Sequence, residues 1–163
     1  TQNYNDQSQC SAIQRPQINL SHCSHSRLIF DKDGKYMKSL CDVQKSYNYY
    51  EAEAFCYNNG MDLMIVENVD VFEEMTKFVL SIYPIHQAWG YNTGLWINGR
   101  WNGTHWHAYK NLQKQEIGKG IEIRTELQNA GECAVLKKSG KFELRNFVCS
   151  KTYYFVCEYR SVL

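Results

Sequence analysis

The stretch NYYEAEAFCYNNGMDLMIV, residues 48–66, sets the reading of the whole chain. Asn48 is a good N-cap, and Glu51 stands three residues on, the spacing of a capping box. Tyr49, Ala52, Phe55 and Cys56 recur at i, i+3, i+6 and i+7, which places them on one face of a helix over 48–59. Gly60 follows where helices close in a left-handed turn. MDLMIV (61–66) then reads as a short buried strand or core segment. Upstream, RLIF-DKDGK-YMKSL (27–40) holds two strand-like runs around Asp33-Gly34, a hairpin signal. Downstream, DVFEEMTKFVLSIYP (70–84) predicts a second helix. Asp70 and Glu73 have capping-box spacing, Val71, Phe72, Met75, Phe78 and Val79 line one face, and Pro84 marks the stop. Strand-like runs follow at 95–99, 105–109, 120–127, 132–138, 141–149 and 152–159. A hairpin, two helices and then many short strands predict an α+β architecture.

The chain has 163 residues, a length that suits one domain able to bury its own core. Residues 1–22 are polar and read as a tail, with the domain spanning 23–163. The opening TQNYNDQSQC reads as a mature or trimmed N-terminus. The formal net charge of +1 gives no case for nucleic acid or a membrane surface as partner, and no run of apolar residues is long enough to span a bilayer. Seven cysteines are present, none in a CxxC pair. Cysteines spaced so widely read as disulfides formed in an oxidising compartment, which predicts a secreted, extracellular protein. Two glycosylation sequons, at Asn19 and Asn102, agree with that compartment.

The arrangement resembles the C-type lectin-like domain. The residues that carry the resemblance are YYEAEAFCYNNGMDL (49–63), LWING (95–99), GECAVL (131–136), Cys149 and FVCE (155–158), and it extends over 23–159. It implies a C-type lectin-like fold, two helices flanking small antiparallel sheets, with an N-terminal hairpin and disulfides. It also implies the pairings Cys56–Cys157 and Cys133–Cys149, and, because the longer family members staple their N-terminal hairpin, Cys23–Cys41. Cys10 is then left over and is expected to link to a second lectin-like chain. The alternative is Cys10–Cys23 within the tail, leaving Cys41.

The sugar-binding members of that family hold calcium through Glu-Pro-Asn or Gln-Pro-Asp, an acidic residue, and Trp-Asn-Asp. Neither proline motif occurs here, since the only prolines are Pro16 and Pro84. In the Trp-Asn-Asp frame stand Leu144, Arg145 and Asn146. A guanidinium beside a dication is repelled and supplies no acceptor. The expectation is therefore no metal and no cofactor. The segment KNLQKQEIGKGIEIRTELQNAGE (110–132) departs from the family's usual loop and is where a replacement binding surface is expected.

Charge is uneven: residues 51–77 are acidic, while 133–163 carry Lys137, Lys138, Lys141, Arg145, Lys151 and Arg160 against Glu143 and Glu158. An ordinary solvated surface explains this. So does a basic face for sulfated or acidic glycans, or for an acidic protein. In the second reading Lys137, Lys138, Lys141 and Arg145 share a surface around the second core disulfide, although strand alternation puts Lys137 and Lys138 on opposite sides. Trp89, Trp96, Trp101 and Trp106 are mostly core in this reading, with Trp101 or Trp89 exposed to stack on a sugar ring. His105 and His107 share a strand face, and His22 and His25 bracket Cys23; both pairs read as structural rather than metal-binding. Glu73 and Glu74 suit a helix first turn. No Gly-x-Ser-x-Gly occurs and disulfide-bonded cysteines cannot attack, so no enzyme is expected. Two functions remain. One is calcium-independent binding of anionic glycans. The other is protein interaction as one subunit of a disulfide-linked dimer. The resemblance adds an invertebrate secreted type and a role in innate defence.

Overall fold

The computed structural model describes residues 23–82, 93–117, 121–124 and 132–160. The tail 1–22, with Cys10, Asn19 and His22, lies outside them, as do Pro84 and Trp89. In chain order the described elements are β1 (His25–Phe30), β2 (Tyr36–Asp42), α1 (Tyr49–Asn58), β3 (Met61–Leu63), α2 (Val69–Ile82) and β4 (Leu95–Trp101). They continue with β5 (Trp106–Lys110), β6 (Gln113–Glu116), β7 (Ile123–Arg124), β8 (Cys133–Ser139), β9 (Lys141–Phe147) and β10 (Tyr154–Tyr159).

Helix α1 starts as its cap requires. Asn48 Oδ1 accepts from the Glu51 amide at 2.9 Å while Glu51 returns a bond to the Asn48 amide at 3.2 Å. The helix closes at Gly60, whose φ of +76° is one that glycine adopts without steric cost. Tyr49, Ala52 and Cys56 are buried as the periodicity predicts, with Phe55 packed at the margin. Helix α2 differs from the sequence reading at its start. The cap is Asn68, whose Oδ1 accepts from the Val71 amide at 2.9 Å, and Asp70 lies inside the first turn. Starting there brings Val71, the first core residue, fully into the helix together with Met75, Phe78 and Val79.

The strands pair in the order β1-β2-β10-β4-β8-β9-β7, with β3 against β10, and β5 joining β4 to β6. Most pairings are antiparallel; β10–β4 and β7–β9 are parallel. The central strands are covered on both faces, which is why LWI, CAVL and FVC read as continuous apolar runs rather than alternating ones. Alternation sorts their side chains into two clusters. Leu95, Ile97, Leu136, Leu144 and Val156 meet α2 on one side. Trp96, Cys133, Val135, Phe155 and Cys157 meet α1 on the other.

All three implied disulfides form: Cys23–Cys41, Cys56–Cys157 and Cys133–Cys149. The second spans a sequence separation of 101 and ties α1 to the last strand. In the chain-entropy account, bonds like these stabilise by about 3–5 kcal/mol each. Of the long strand read at 120–127, Ile123–Arg124 is strand, and residues past 124 lie outside the described region until 132. Strand β6 falls inside what the sequence presented as loop. It exists because Asn111 and Leu112 make a two-residue hairpin turn that returns the chain along β5.

Candidate functional site

Strand β9 carries the positions where the resemblance places a calcium site. Calcium takes six to eight oxygens. Leu144 is 3% exposed and belongs to the core. Arg145, next along the strand, turns its guanidinium onto a neighbouring carboxylate, with Nε and Nη2 donating to Glu143 Oε2 at 3.0 and 2.7 Å. Asn146 is half-buried opposite Ala134. Among the described residues no three His, Cys, Asp or Glu side chains group as a metal site. A buried leucine and a bound guanidinium do not fit the ion.

What stands there instead is a cluster of charge. Strand β7 runs parallel to β9 and sets Arg124 beside Arg145. Arg124 Nη1 donates to Glu143 Oε1 and Oε2 at 3.1 and 3.0 Å. The Arg145 hydrogen bonds, supported by Arg124, hold the Glu143 carboxyl below the ordinary carboxylate range against the opposing effect of burial. Two guanidiniums on one carboxylate leave a surplus positive charge. Both arginines keep side-chain exposure, 40% for Arg124 and 33% for Arg145. Beside them opens a cleft of about 330 Å³ with Phe72 and Leu144 on its apolar wall and Glu122, Arg124, Lys141 and Glu143 as polar lining.

The four basic residues singled out in the sequence are only partly brought together. Lys141 is exposed at the β8–β9 turn and lines this cleft. Lys138 lies over the Phe142 ring, 5.6 Å from its centroid. Lys137 points to the face of β8 opposite Lys138, the same face as Arg145, but is buried there, its Nζ donating to the Tyr153 hydroxyl at 2.7 Å and lying 4.4 Å from that ring's centroid. It therefore adds nothing to an exposed basic face. Burial first, then Lys151 and Arg145, push its ammonium down to about 8. Trp101 is half-buried against Trp106, ring centroids 5.5 Å apart. It lies on β4, with β8 between it and Arg145.

Arg124 and Glu143 were not among the candidate site residues. Alternation on β9 puts Glu143 and Arg145 on one face, a signal the sequence did carry. The approach of Arg124 comes from a parallel pairing that no local pattern announces. The His105 and His107 rings lie 6.3 Å apart, tilted at 45°, and His107 Nε2 lies 2.8 Å from the Asn102 side-chain amide nitrogen. Asn102 is exposed on a turn that includes Gly103. His25 Nδ1 meets Asp42 Oδ2 at 3.1 Å, an ordinary strand-pair contact. No helix among the described residues is long and apolar enough to cross a membrane.

A search of curated proteins by sequence gives no significant match. Solved structures do match in shape. The carbohydrate-recognition domain of the mouse scavenger receptor C-type lectin is 16% identical at TM-score 0.57, over 86% of this chain and 98% of that one. Ovocleidin-17, a major protein of the Gallus gallus eggshell calcified layer, is 16% identical at TM-score 0.58, over 76% and 92%. A Ca2+-dependent type II antifreeze protein in its Ca2+-free form is 11% identical at TM-score 0.57, over 82% and 97%. At such identities the likeness carries the fold alone. The family model for the Lectin C-type domain matches residues 45–159, from the approach to α1 through the last strand. By that match the chain belongs to the C-type lectin domain family.

Proposed function

We propose that this chain is an extracellular recognition domain that binds anionic glycans without calcium. The observation that carries the reading is the convergence of Arg124 and Arg145 on the single carboxylate of Glu143, beside a cleft that Lys141 also lines. A surplus positive charge on a partly exposed, rigidly paired arginine cluster suits sulfate or carboxylate groups, which guanidinium recognises in a bidentate way. Three disulfides favour an oxidising compartment, hence secretion. The exposed sequon at Asn102 suits glycosylation. The test is a glycan array run with calcium and again with EDTA, followed by heparin chromatography of the Arg145→Ala and Lys141→Ala variants. Binding to sulfated or acidic glycans that ignores EDTA and weakens with salt is the expected result, with earlier elution of both variants. Blank arrays, or binding that chelation abolishes, overturn the reading.

A second reading makes the chain one subunit of a disulfide-linked lectin-like pair, with a place in innate defence. It is favoured by the cysteine count: the three intrachain bonds use six of the seven cysteines, and Cys10 is the seventh.

A further inference from the structure

The dipeptide Asn-Gly occurs three times in the chain, at 59–60, 98–99 and 102–103. Its side-chain amide is open to attack by the backbone nitrogen that follows, because glycine puts no side chain in the way. The fold treats the three pairs differently. Gly60 donates its amide to the Tyr57 carbonyl at 3.2 Å, and Asn59 Nδ2 donates to the Phe55 carbonyl at 2.8 Å. Gly99 donates to the Tyr49 hydroxyl at 3.1 Å, and the buried Asn98 donates from Nδ2 to the Leu63 and Tyr109 carbonyls, each at 2.9 Å. At both pairs the attacking nitrogen is engaged, and the leaving nitrogen faces carbonyls that have no proton to give.

Asn102-Gly103 is arranged in the opposite sense. Both residues are exposed on the turn between β4 and β5. Gly103 has φ of +99°, and a Cβ there would meet nothing within 4 Å, so solvent reaches its peptide. Its amide donates to no acceptor among the described residues. The Asn102 side chain folds back over that peptide. Its Oδ1 accepts from the Thr104 amide at 2.9 Å, the His105 amide at 2.8 Å and the Thr104 hydroxyl at 2.9 Å. Backbone amides only donate, so the atom they meet is the oxygen, and it is Nδ2 that lies 2.8 Å from His107 Nε2. Burial, then the charges of Lys114 and His105, hold the His107 imidazole below the ordinary histidine range, with Glu116 opposing. Arg100, opposite His107 on β4, has its guanidinium on Glu53.

We propose that Asn102 is a self-deamidating site, at which the folded turn holds the oxyanion and His107 attends the leaving nitrogen. The Gly103 amide gives its proton to a solvent base, and its nitrogen bonds to Asn102 Cγ. The displaced electron pair goes to Oδ1, where the three donors stabilise it. The former amide nitrogen is now a basic amine, and it takes a proton from the imidazolium form of His107 at Nε2. The pair returns from Oδ1, the Cγ–Nδ2 bond breaks, and ammonia leaves a five-membered imide. Water opens the imide at either carbonyl, giving aspartate or isoaspartate at 102 and a new negative charge beside His107. The same Nδ2 is the acceptor atom of the sequon, so a glycan there and this loss exclude each other. Nothing in these steps involves the arginine cluster.

The test uses the full chain, made with its disulfides in a host that does not N-glycosylate. It is held at neutral pH, either folded or reduced and unfolded in urea, and all three Asn-Gly pairs are read by peptide mass mapping. In the folded chain Asn102 is expected to convert about tenfold or more faster than Asn59 and Asn98, while in urea the three convert alike. His107→Gln slows Asn102 about tenfold or more in the folded chain and leaves its rate in urea unchanged. Thr104→Val, which removes one donor to Oδ1, slows it in the same way. Conversion of Asn102 no faster than that of Asn59 or Asn98 in the folded parent overturns the proposal, and that comparison needs no variant. So does a His107→Gln chain that melts with the parent and converts at the parent's rate, or a slowing of equal size in urea, which places the effect in the local sequence.

Discussion

Lys137 and Arg145 lie on neighbouring strands and on one face of the sheet, yet their charged groups meet different surroundings. Arg145 reaches Glu143 at the sheet margin and keeps a third of its side chain in solvent. Lys137 is enclosed by the Tyr153 and Phe147 rings and its ammonium is pushed down to about 8, by burial first and then by Lys151 and Arg145. Its unfolded value is 10.5, so between about 8 and 10.5 the folded chain holds fewer protons than the unfolded one. Stability attributable to this residue therefore rises with pH across that window, and the charged lysine costs stability below it. Relative to Lys137→Met, the parent protein is expected to gain stability steadily over the window in denaturant unfolding; a flat difference would mean the ammonium is not depressed. Heparin retention separates the two residues differently. Arg145→Ala elutes earlier, whereas Lys137→Met elutes with the parent, because a buried ammonium cannot meet a polymer. Alternation along β8 made the opposite facing of Lys137 and Lys138 legible in the sequence. The rings that close over Lys137 come from β9 and from the approach to β10, and no local pattern reports them.

At the scale of elements, α1 was fully readable because its cap, buried face and closing glycine are all local signals. Helix α2 was readable except at its start, where Asn68, two residues before Asp70, provides the cap and Val71 is packed within the first turn. Strand β6 was not readable. Its QKQE has neither alternation nor β-branched residues, and its pairing is imposed by the turn before it. Strand β4 shows the reverse case, in which a local feature has a distant cause. A Cβ built on Gly99 would lie 2.7 Å from the Ala134 Cβ of β8, and the Gly99 amide donates to the buried Tyr49 hydroxyl at 3.1 Å. Burial raises the pKa of that phenol, with Glu53 adding to it, so it remains a neutral hydroxyl able to accept this bond. Gly99→Ala must separate β4 from β8, and the Ile117 side chain must also give way. It is expected to cost about 1–3 kcal/mol, the usual range for overpacking, read from the shift in urea midpoint at unchanged slope. A variant as stable as the parent would show that the sheet gives way freely.

Across the whole molecule, one ion cluster centred on the buried Lys38 and Glu158 ties the hairpin, the segment after β3 and the C-terminal strand. Lys38 Nζ donates to Glu158 Oε1 at 2.7 Å, to Glu67 Oε1 at 2.5 Å and to the Ile65 carbonyl at 2.7 Å, while the Ile65 amide donates to Glu158 Oε1 at 2.6 Å. Burial pushes the Glu158 carboxyl up, opposed by the Lys38 ammonium. Lys38→Met removes that counter-charge and is expected to destabilise by about 3–5 kcal/mol, with most of the loss recovered in Lys38→Met/Glu158→Leu, because an unpaired buried charge costs far more than an absent pair. Thermal unfolding of the two variants decides it; a double variant no better than the single one would place the loss in packing instead. Covalent assembly is tested by non-reducing electrophoresis of the secreted protein. A band near twice the 19.1 kDa chain mass is expected, lost on reduction and in Cys10→Ser. A monomer band with Cys10 bonded within its own chain would remove the case for a linked partner.

The sequence by itself determined the hairpin, the two helices and most of the strands that follow, the family resemblance and the mismatch of the LRN segment with a calcium ion, because caps, periodicity, cysteine order and ligand chemistry are written in short stretches. Tertiary structure decided what stands in that place. Arg124 reaches Glu143 and Arg145 only through the parallel pairing of β7 with β9, and Tyr50, Arg100 and Leu112 gather around one cleft only because α1, β4 and the β5–β6 turn pack together. Contacts between residues remote in sequence depend on how twisted strands and helices close over two cores. That closure is a property of the whole chain's packing, and no window of the sequence contains it.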